Sequence, residues 1–288
     1  MKYRWDFPLQ RTHTGMLAGN GRMGAMIWGG GNILHITIGR ADLWDHRGAI
    51  EYEENMSYNT VRTYLNRADQ KGLSEILAPV KRTPGTPDRP SIIPVGRIDI
   101  TLGNKTNLVC GELDISSGEI KITCSRNGDL LSLYIVFDMK NDVLCLSLPE
   151  SLPIKSIRRI PAWYYVKEHL QNIGFAPPSM FSSKSIDGWL QKRPADPPFC
   201  IAYTHNKKYI YIATGYGKTA QEAKDNVSDI LNNVCKEGFV SIQKKTKEWW
   251  KRYWDNTPKI VIPNGCLKFL YLYGMYKFGI ATNPSGVP

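Results

Sequence analysis

Asp42, Asp45 and His46 form the best polar cluster of the chain, two carboxylates flanking Trp44 and running into an imidazole. A carboxylate beside an imidazole is equipped for acid–base work, because the imidazole titrates near neutral pH and the carboxylate orients it. The same side chains can instead line a sugar subsite, or hold the turn on which they lie. Asn20 and Arg22, from the preceding glycine-rich turn, read as their neighbours, and Asn20 before Gly21 also meets the needs of a tight turn. Asn20, Arg22, Asp42, Trp44, Asp45 and His46 are therefore the candidate substrate-binding set, and no residue of the chain is assigned a catalytic role. Metal chemistry has no comparable support, since the six cysteines show no C-x-x-C and no histidine at ligand spacing. No tightly bound metal and no cofactor are expected.

These residues belong to the stretch from Gly15 to Gly48, where glycine, aromatic and charged residues are densest. An apolar run at Ala25 to Trp28, a tight Gly29-Gly30-Gly31 connection and a second run at Ile33 to Ile38 predict an antiparallel hairpin. Trp28 and Trp44 are expected to be mostly buried or at a domain interface. Gly19, Gly21 and Gly24 also spell G-x-G-x-x-G, with Asp42 placed like the ribose-binding acid of a dinucleotide fold. Context excludes that reading. The fingerprint needs a strand before the glycines and a helix opening on them. Here Ala25 to Trp28 and three glycines follow, and each glycine disfavours a helix by about 1 kcal/mol. Gly217-Lys218-Thr219 is no phosphate loop either, because Ile212 stands where the first glycine is required.

The segment from Leu17 to Gly29, LAGNGRMGAMIWG, resembles the LGNGRLGAMVFGG opening of glycoside hydrolase family 95, the inverting α-L-fucosidases and related α-L-galactosidases. Ala41 to Asp45 resembles the EDTLWSG continuation of that family, with Asp45-His46 where the family has Ser-Gly. Trp249 to Trp254 is similar to the family's linker, Leu270 to Tyr276 to the LYFQYGRYLL of its first barrel helix, and Asn283 to Pro288 to its SSRPGGLP. The resemblance covers both ends of the chain well and the middle weakly. It implies a mainly β fold: a large antiparallel β-sandwich at residues 1–217, a helical linker at 218–258 and the first helix of an (α/α)6 barrel at 259–288. It also implies carbohydrate as ligand and a missing C-terminal barrel as partner. In the family the catalytic acid, the base and the water-positioning asparagines lie in that barrel, beyond the point matching Pro288.

Bulk composition is compatible with such a module. The 288 residues suffice for one large or two modest domains, and 42% hydrophobic with 22% charged residues is an ordinary globular balance. The net charge of +11 raises the question of a polyanion partner. The basic residues are scattered, however, and runs such as Lys244-Lys245-Thr246-Lys247 are short, so no nucleic-acid partner is expected. No run approaches the ~18 apolar residues of a membrane span, and no membrane partner is expected. Met1 to Asp6 leads into polar sequence instead of an apolar leader, which predicts a cytoplasmic protein, although family 95 enzymes are often exported. Apolar neighbours around Cys110, Cys145 and Cys200 predict buried free thiols.

Further along, Tyr52 to Ala78 predicts short helices and Pro79 to Pro94 a loop. Alternating runs at Val95–Leu102, Asn107–Ile115, Glu119–Ser125, Asp129–Asp138 and Asp142–Leu148 predict antiparallel strands, with a turn at Asn127-Gly128. The Pro153 to Pro198 region reads either as a loop-rich sugar-facing edge, since aromatic faces stack on pyranose rings, or as a long connection whose aromatics pack on the sheet. A hairpin at Phe199–Thr204 and Tyr209–Gly215 follows. Thr219-Ala220-Gln221-Glu222 is a capping box opening a helix that Gly238 ends. A second helix, about 240–255, carries Trp249, Trp250, Tyr253 and Trp254 on one face. After a short Lys259 to Ile262 strand, a third helix, about 265–281, is apolar almost all round and is expected to expose Leu267, Leu270, Leu272 and Ile280 where a helical body is absent.

Inverting hydrolysis needs an acid and a base roughly 6.5–9.5 Å apart across the scissile bond. One barrel helix cannot hold the second carboxylate there, so the chain alone is expected to be inactive. The functions in view are an N-terminal portion of an α-L-fucosidase-like hydrolase, a stand-alone carbohydrate-binding or scaffolding β-sandwich, and a basic nucleic-acid-binding protein. The first is the reading adopted.

Overall fold

Strands of period two build most of the chain. The computed structural model describes residues 1–48, 56–78, 85, 87–183 and 185–282. It opens with Lys2–Asp6 (β1), Met16–Gly19 (β2), Met23–Gly30 (β3) and Ile33–Arg40 (β4). The β3–β4 hairpin closes on Gly31-Asn32, with Gly31 at φ 56° where a side chain is disfavoured. Trp44–Asp45 (β5) pairs with Ser91–Ile92 (β6), and between them lie the helices Tyr58–Asn66 (α1) and Gln70–Ile76 (α2). Ser57 and Asp69 cap these helices, each side chain accepting a backbone N–H of the first turn. Gly96–Leu102 (β7), Thr106–Asp114 (β8), Glu119–Arg126 (β9), Asp129–Phe137 (β10), Val143–Ser147 (β11) and Ile154–Pro161 (β12) follow. Then come Trp163–Asn172 (α3), Ser179–Ser183 (β13), Ile186–Gln191 (β14), Phe199–His205 (β15) and Tyr209–Tyr216 (β16). Ala220–Glu237 (α4), Phe239–Asn256 (α5) and Gly265–Ala281 (α6) complete the described chain.

The strands form a nine-stranded sheet, β1-β8-β9-β10-β11-β16-β15-β14-β13, and a five-stranded sheet, β12-β7-β4-β3-β2, all pairs antiparallel. Leu34, Ile36, Ile38 and Ile98 of the smaller sheet share one core with Ile120, Ile122, Leu133, Ile135 and Leu146 of the larger. That is the large antiparallel sandwich the alternation predicts. A second core lies on the far face of the nine-stranded sheet, where Val143, Cys145, Cys200 and Ala213 meet Ala223, Val227, Leu231 and Val234 of α4. Strands β11, β15 and β16 are thus covered on both faces, which is why their sequences are continuously apolar instead of alternating. Complete burial of Val227 and Leu231 contributes about 1.5–3 kcal/mol each before ordering costs. Thr219 accepts from the Glu222 N–H as the capping box requires, while the Glu222 carboxylate reaches the N–H of Lys218, one residue further back.

Several expectations are corrected. The Lys259 to Ile262 run is no strand: it lies between Pro258 and Pro263, no neighbouring strand pairs with it, and Val261 is 93% exposed. The Pro153 to Pro198 region is mostly regular, β12 extending the smaller sheet and β13–β14 the larger. Its aromatics divide: Trp163 and Trp189 are buried in the core, whereas Tyr164 and Tyr165 are exposed. Trp28 is half-buried, but Trp44 is 38% exposed because the two-residue β5 presents it outside both sheets. Four cysteines are buried, but Cys235 and Cys266 are exposed. Leu267 and Leu270 of α6 are exposed as expected, while Leu272 and Ile280 pack against the core. Residues 49–55, residues 79–84 and 86 of the expected Pro79 to Pro94 loop, and the 283–288 motif fall outside the described residues, and the end of that loop carries the short strand β6. Among the described residues no helix is long and apolar enough to cross a membrane.

Candidate functional site

Strand alternation in β4 buries Leu34, Ile36 and Ile38, and the next residue in that inward phase is Arg40. A buried guanidinium must be paired, and it is. Arg40 donates to both oxygens of Asp42, Nε to Oδ1 at 2.8 Å and one terminal nitrogen to Oδ2 at 2.7 Å. Its other terminal nitrogen reaches Asp142 Oδ2 at 2.8 Å and the Thr214 hydroxyl. Arg22 donates to Asp142 Oδ1 at 3.1 Å. Asn20, only 1% exposed, donates to Asp142 and to the carbonyls of Asp138 and Asn141, while its oxygen accepts the N–H groups of Arg22 and Met23. Strand β4 and the β2–β3 turn of the smaller sheet are thereby bolted to the β10–β11 turn and to β16 of the larger.

Outside this buried layer lies a rim. The Tyr216 hydroxyl donates to Asp42, and Arg40 and Arg193 both lie over the Tyr216 ring, at 4.7 and 5.5 Å. Arg193 donates to the Trp44 carbonyl at 2.7 Å, and the Trp44 indole donates to the Ala41 carbonyl. His46 pairs through Nδ1 with Asp196 Oδ1 at 2.7 Å and keeps 67% of its side chain exposed. Burial alone would raise the Asp42 carboxyl, yet the Arg40 fork and the Tyr216 hydroxyl hold it below the usual carboxylate range. Asp196 behaves alike: burial would raise it, and the hydrogen bonds from His46 pull it below. Burial pushes the Tyr216 phenol up and the Arg193 guanidinium down.

The structure separates the six candidate residues by role. Asn20 and Arg22 bolt the two sheets together. Asp45, 1% exposed, is gripped by Arg47, whose Nε and a terminal nitrogen donate to its two oxygens at 2.9 and 2.8 Å; Arg47 also reaches the Ile173 carbonyl. Asp45 therefore holds the turn instead of facing a ligand. Asp42, Trp44 and His46 form the accessible rim together with Arg193, Asp196 and Tyr216, which the sequence reading missed. Asp196 and Arg193 come from a Pro-rich connection about 150 residues further on, and no local pattern links them to His46. Arg40 was missed as well, although a charge in the inward phase of an apolar strand is a signal that marks it. Among the described residues no group of His, Cys, Asp and Glu could hold a metal ion.

The glycines of the β2–β3 turn answer to α6. Gly21, at φ 86°, donates its N–H to the Ile280 carbonyl at 2.8 Å, and a Cβ on Gly19 would lie 3.1 Å from the same oxygen. Tyr276, fully buried, donates to the Leu17 carbonyl at 2.8 Å. The C-terminal end of α6 is thus pinned beside the Asn20–Arg22 layer. Gly21→Ala is expected to destabilise the protein by about 1–2 kcal/mol through the left-handed backbone it must keep. Urea unfolding followed by circular dichroism measures this, and an unchanged midpoint would contradict the tight-turn account.

No protein-family model matches this chain, and no curated protein matches it. Among solved structures it is similar to one described as a kojibiose phosphorylase from the human microbiome, with a TM-score of 0.55 at 11% sequence identity. The match covers 96% of this chain and 41% of that one, so the chain spans less than half the length of this neighbour and shares its fold over that part.

Proposed function

We propose that this chain is the β-sandwich unit of a glycoside-active enzyme, in which Asp42, Trp44 and His46 line the rim of a saccharide subsite and a helical body seated on α6 supplies the catalytic carboxylates. The observation that carries this reading is the placement of α6. Its C-terminal end is hydrogen-bonded to the Gly19–Gly21 turn beside the rim, while Leu267, Leu270 and Phe278 on the same helix are 57%, 57% and 61% exposed. Apolar surface of that kind is what a packing partner covers. The fold shared with a described kojibiose phosphorylase supports glycoside chemistry as the wider context. The finer assignment, an inverting α-L-fucosidase-like enzyme, is supported by the LAGNGRMGAMIWG and ADLWD segments.

The rim supplies no general acid. A general acid must keep its proton near neutral pH, which requires a raised carboxyl pKa. Asp42 and Asp196 are both held low, so each is an ionised hydrogen-bond acceptor suited to sugar hydroxyls. Carbohydrate is accordingly the proposed partner, in preference to nucleic acid or a membrane.

The purified chain assayed on aryl α-L-fucosides and α-L-galactosides is expected to show no turnover above background. Clear turnover that Asp42→Ala abolishes would overturn the assignment. Glycan binding by the isolated chain that is lost in His46→Ala would place the saccharide at this rim, and tight binding by a soluble monomer would favour a stand-alone binding module.

A further inference from the structure

The outer face of the five-stranded sheet carries a cleft of about 730 Å³, bounded by β12, α3 and β13, whose lining shares no residue with the rim. Its lining includes Arg97, Arg158 and Arg159 and the rings of Tyr164 and Tyr165, and it includes no carboxylate. The three guanidinium groups are not equivalent. Arg97 is paired with Asp99, which also pairs with His35 at 2.6 Å, and it lies 5.3 Å over the Trp28 ring. Arg159 donates to the carbonyls of Phe181 and Gly188, with Asp187 3.5 Å away. Arg158 is exposed and, among the described residues, makes no ion pair. Tyr164 and Tyr165 are 63% and 50% exposed. Two open aromatic rings and an unpaired guanidinium thus share one concave lining.

We propose that this cleft binds an acidic saccharide, a chain of uronate or sulfated sugar units, with Tyr164 or Tyr165 stacking on a pyranose ring and Arg158 taking the anionic group. The volume lies within the range of about 300–1,000 Å³ typical of small-ligand sites and exceeds what a lone inorganic anion needs. The guanidinium matches a carboxylate or sulfate with two parallel hydrogen bonds. Arg97 and Arg159 are already held by protein partners, so the free charge in the cleft is that of Arg158. The choice of a saccharide among polyanions rests on the glycoside-active reading above. A nucleic-acid strand is less well suited, because single-strand binding uses a groove that tracks a repeated backbone, and the lysines and arginines of this chain are scattered.

The test is isothermal titration of the full chain with a tetra-galacturonate, a neutral maltotetraose, inorganic sulfate and a single-stranded decanucleotide. Only the tetra-galacturonate is expected to bind, and its affinity is expected to fall about tenfold or more in Arg158→Ala, consistent with loss of a charge-assisted contact. Tyr164→Ala is expected to weaken it severalfold. Both residues are exposed, so the variants are expected to fold, which circular dichroism checks. Binding unaffected by Arg158→Ala or by the double change Tyr164→Ala with Tyr165→Ala, sulfate competing at equal affinity, or the decanucleotide binding more tightly through the same residues would each overturn the proposal. Binding that responds to His46→Ala and not to Arg158→Ala would overturn the cleft while sparing the glycoside-active reading.

Discussion

Arg40→Met is expected to destabilise the fold by about 3–5 kcal/mol, because it removes the cation that bridges Asp42 and Asp142, leaving Asp142 with Arg22 as its one cation among the described residues and the charge of Asp42 partly buried. For a domain of this size that corresponds to a melting temperature lower by on the order of 10 °C. Arg40→Lys keeps the charge but cannot reproduce the fork onto Asp42 together with the bond to Asp142, and is expected to fall between the two. The pH dependence carries a second signature. Asp42 has a folded pKa below its unfolded value, so its contribution is complete above an unfolded pKa of about 4 and is lost as pH falls through the folded value. The variant loses the fork that depresses Asp42 and is expected to be less sensitive to acid in that window. Thermal and urea unfolding between pH 3 and 7 measure both effects, and a loss under about 1 kcal/mol at pH 7 would refute the bolted-sheet account.

The other large effect is expected at Trp250. Its ring, 1% exposed, stacks 4.9 Å from Tyr276 of α6 and meets Trp249 and Tyr253 edge-on or nearly so. Gly118 and Gly279 are glycine where a Cβ would strike this indole, at 2.1 and 2.9 Å. Trp250→Ala removes the centre of that cluster and is expected to cost about 3–5 kcal/mol. The loss falls on the contact between α5, α6 and the sandwich, so hydrogen exchange within Gly265–Ala281 is expected to accelerate more than exchange in β9 or β10. Trp250→Phe should retain part of the packing. Unchanged protection of α6 in the alanine variant would show that the helix is held by other contacts.

Much of the sandwich was legible because its strands alternate: β4, β9 and β10 were read within a few residues of their observed ends. The helices announced themselves by the Thr219 cap, the φ 81° glycine at Gly238 and the helical spacing of Val227, Leu231 and Val234. Strands β1 and β2 went unread because five- and four-residue runs at sheet edges carry too little pattern. In the region of β12 to β14, proline and charge mask the period, since β12 is an edge strand bearing exposed Lys155 and Arg158 and a half-buried Arg159. The candidate site was half legible. Asp42 to His46 stood out as a local cluster, but the partners that decide their roles, Asp142, Asp196 and Tyr216, are brought in by long-range strand pairing that no local spacing encodes.

The bond from Tyr276 to the Leu17 carbonyl spans 259 residues of sequence, and the Gly21 to Ile280 contact is as distant. Strand β2 is an edge of the smaller sheet, and α6 is what covers it. During synthesis the N-terminal hairpin emerges long before the helix that shields its edge, so this pairing is among the highest-order contacts of the fold and closes late. Until α6 arrives, the Met16–Gly19 edge is an open template for another strand. The growing chain is therefore open to strand exchange with a neighbouring copy at the same strand that, once folded, anchors its last described helix.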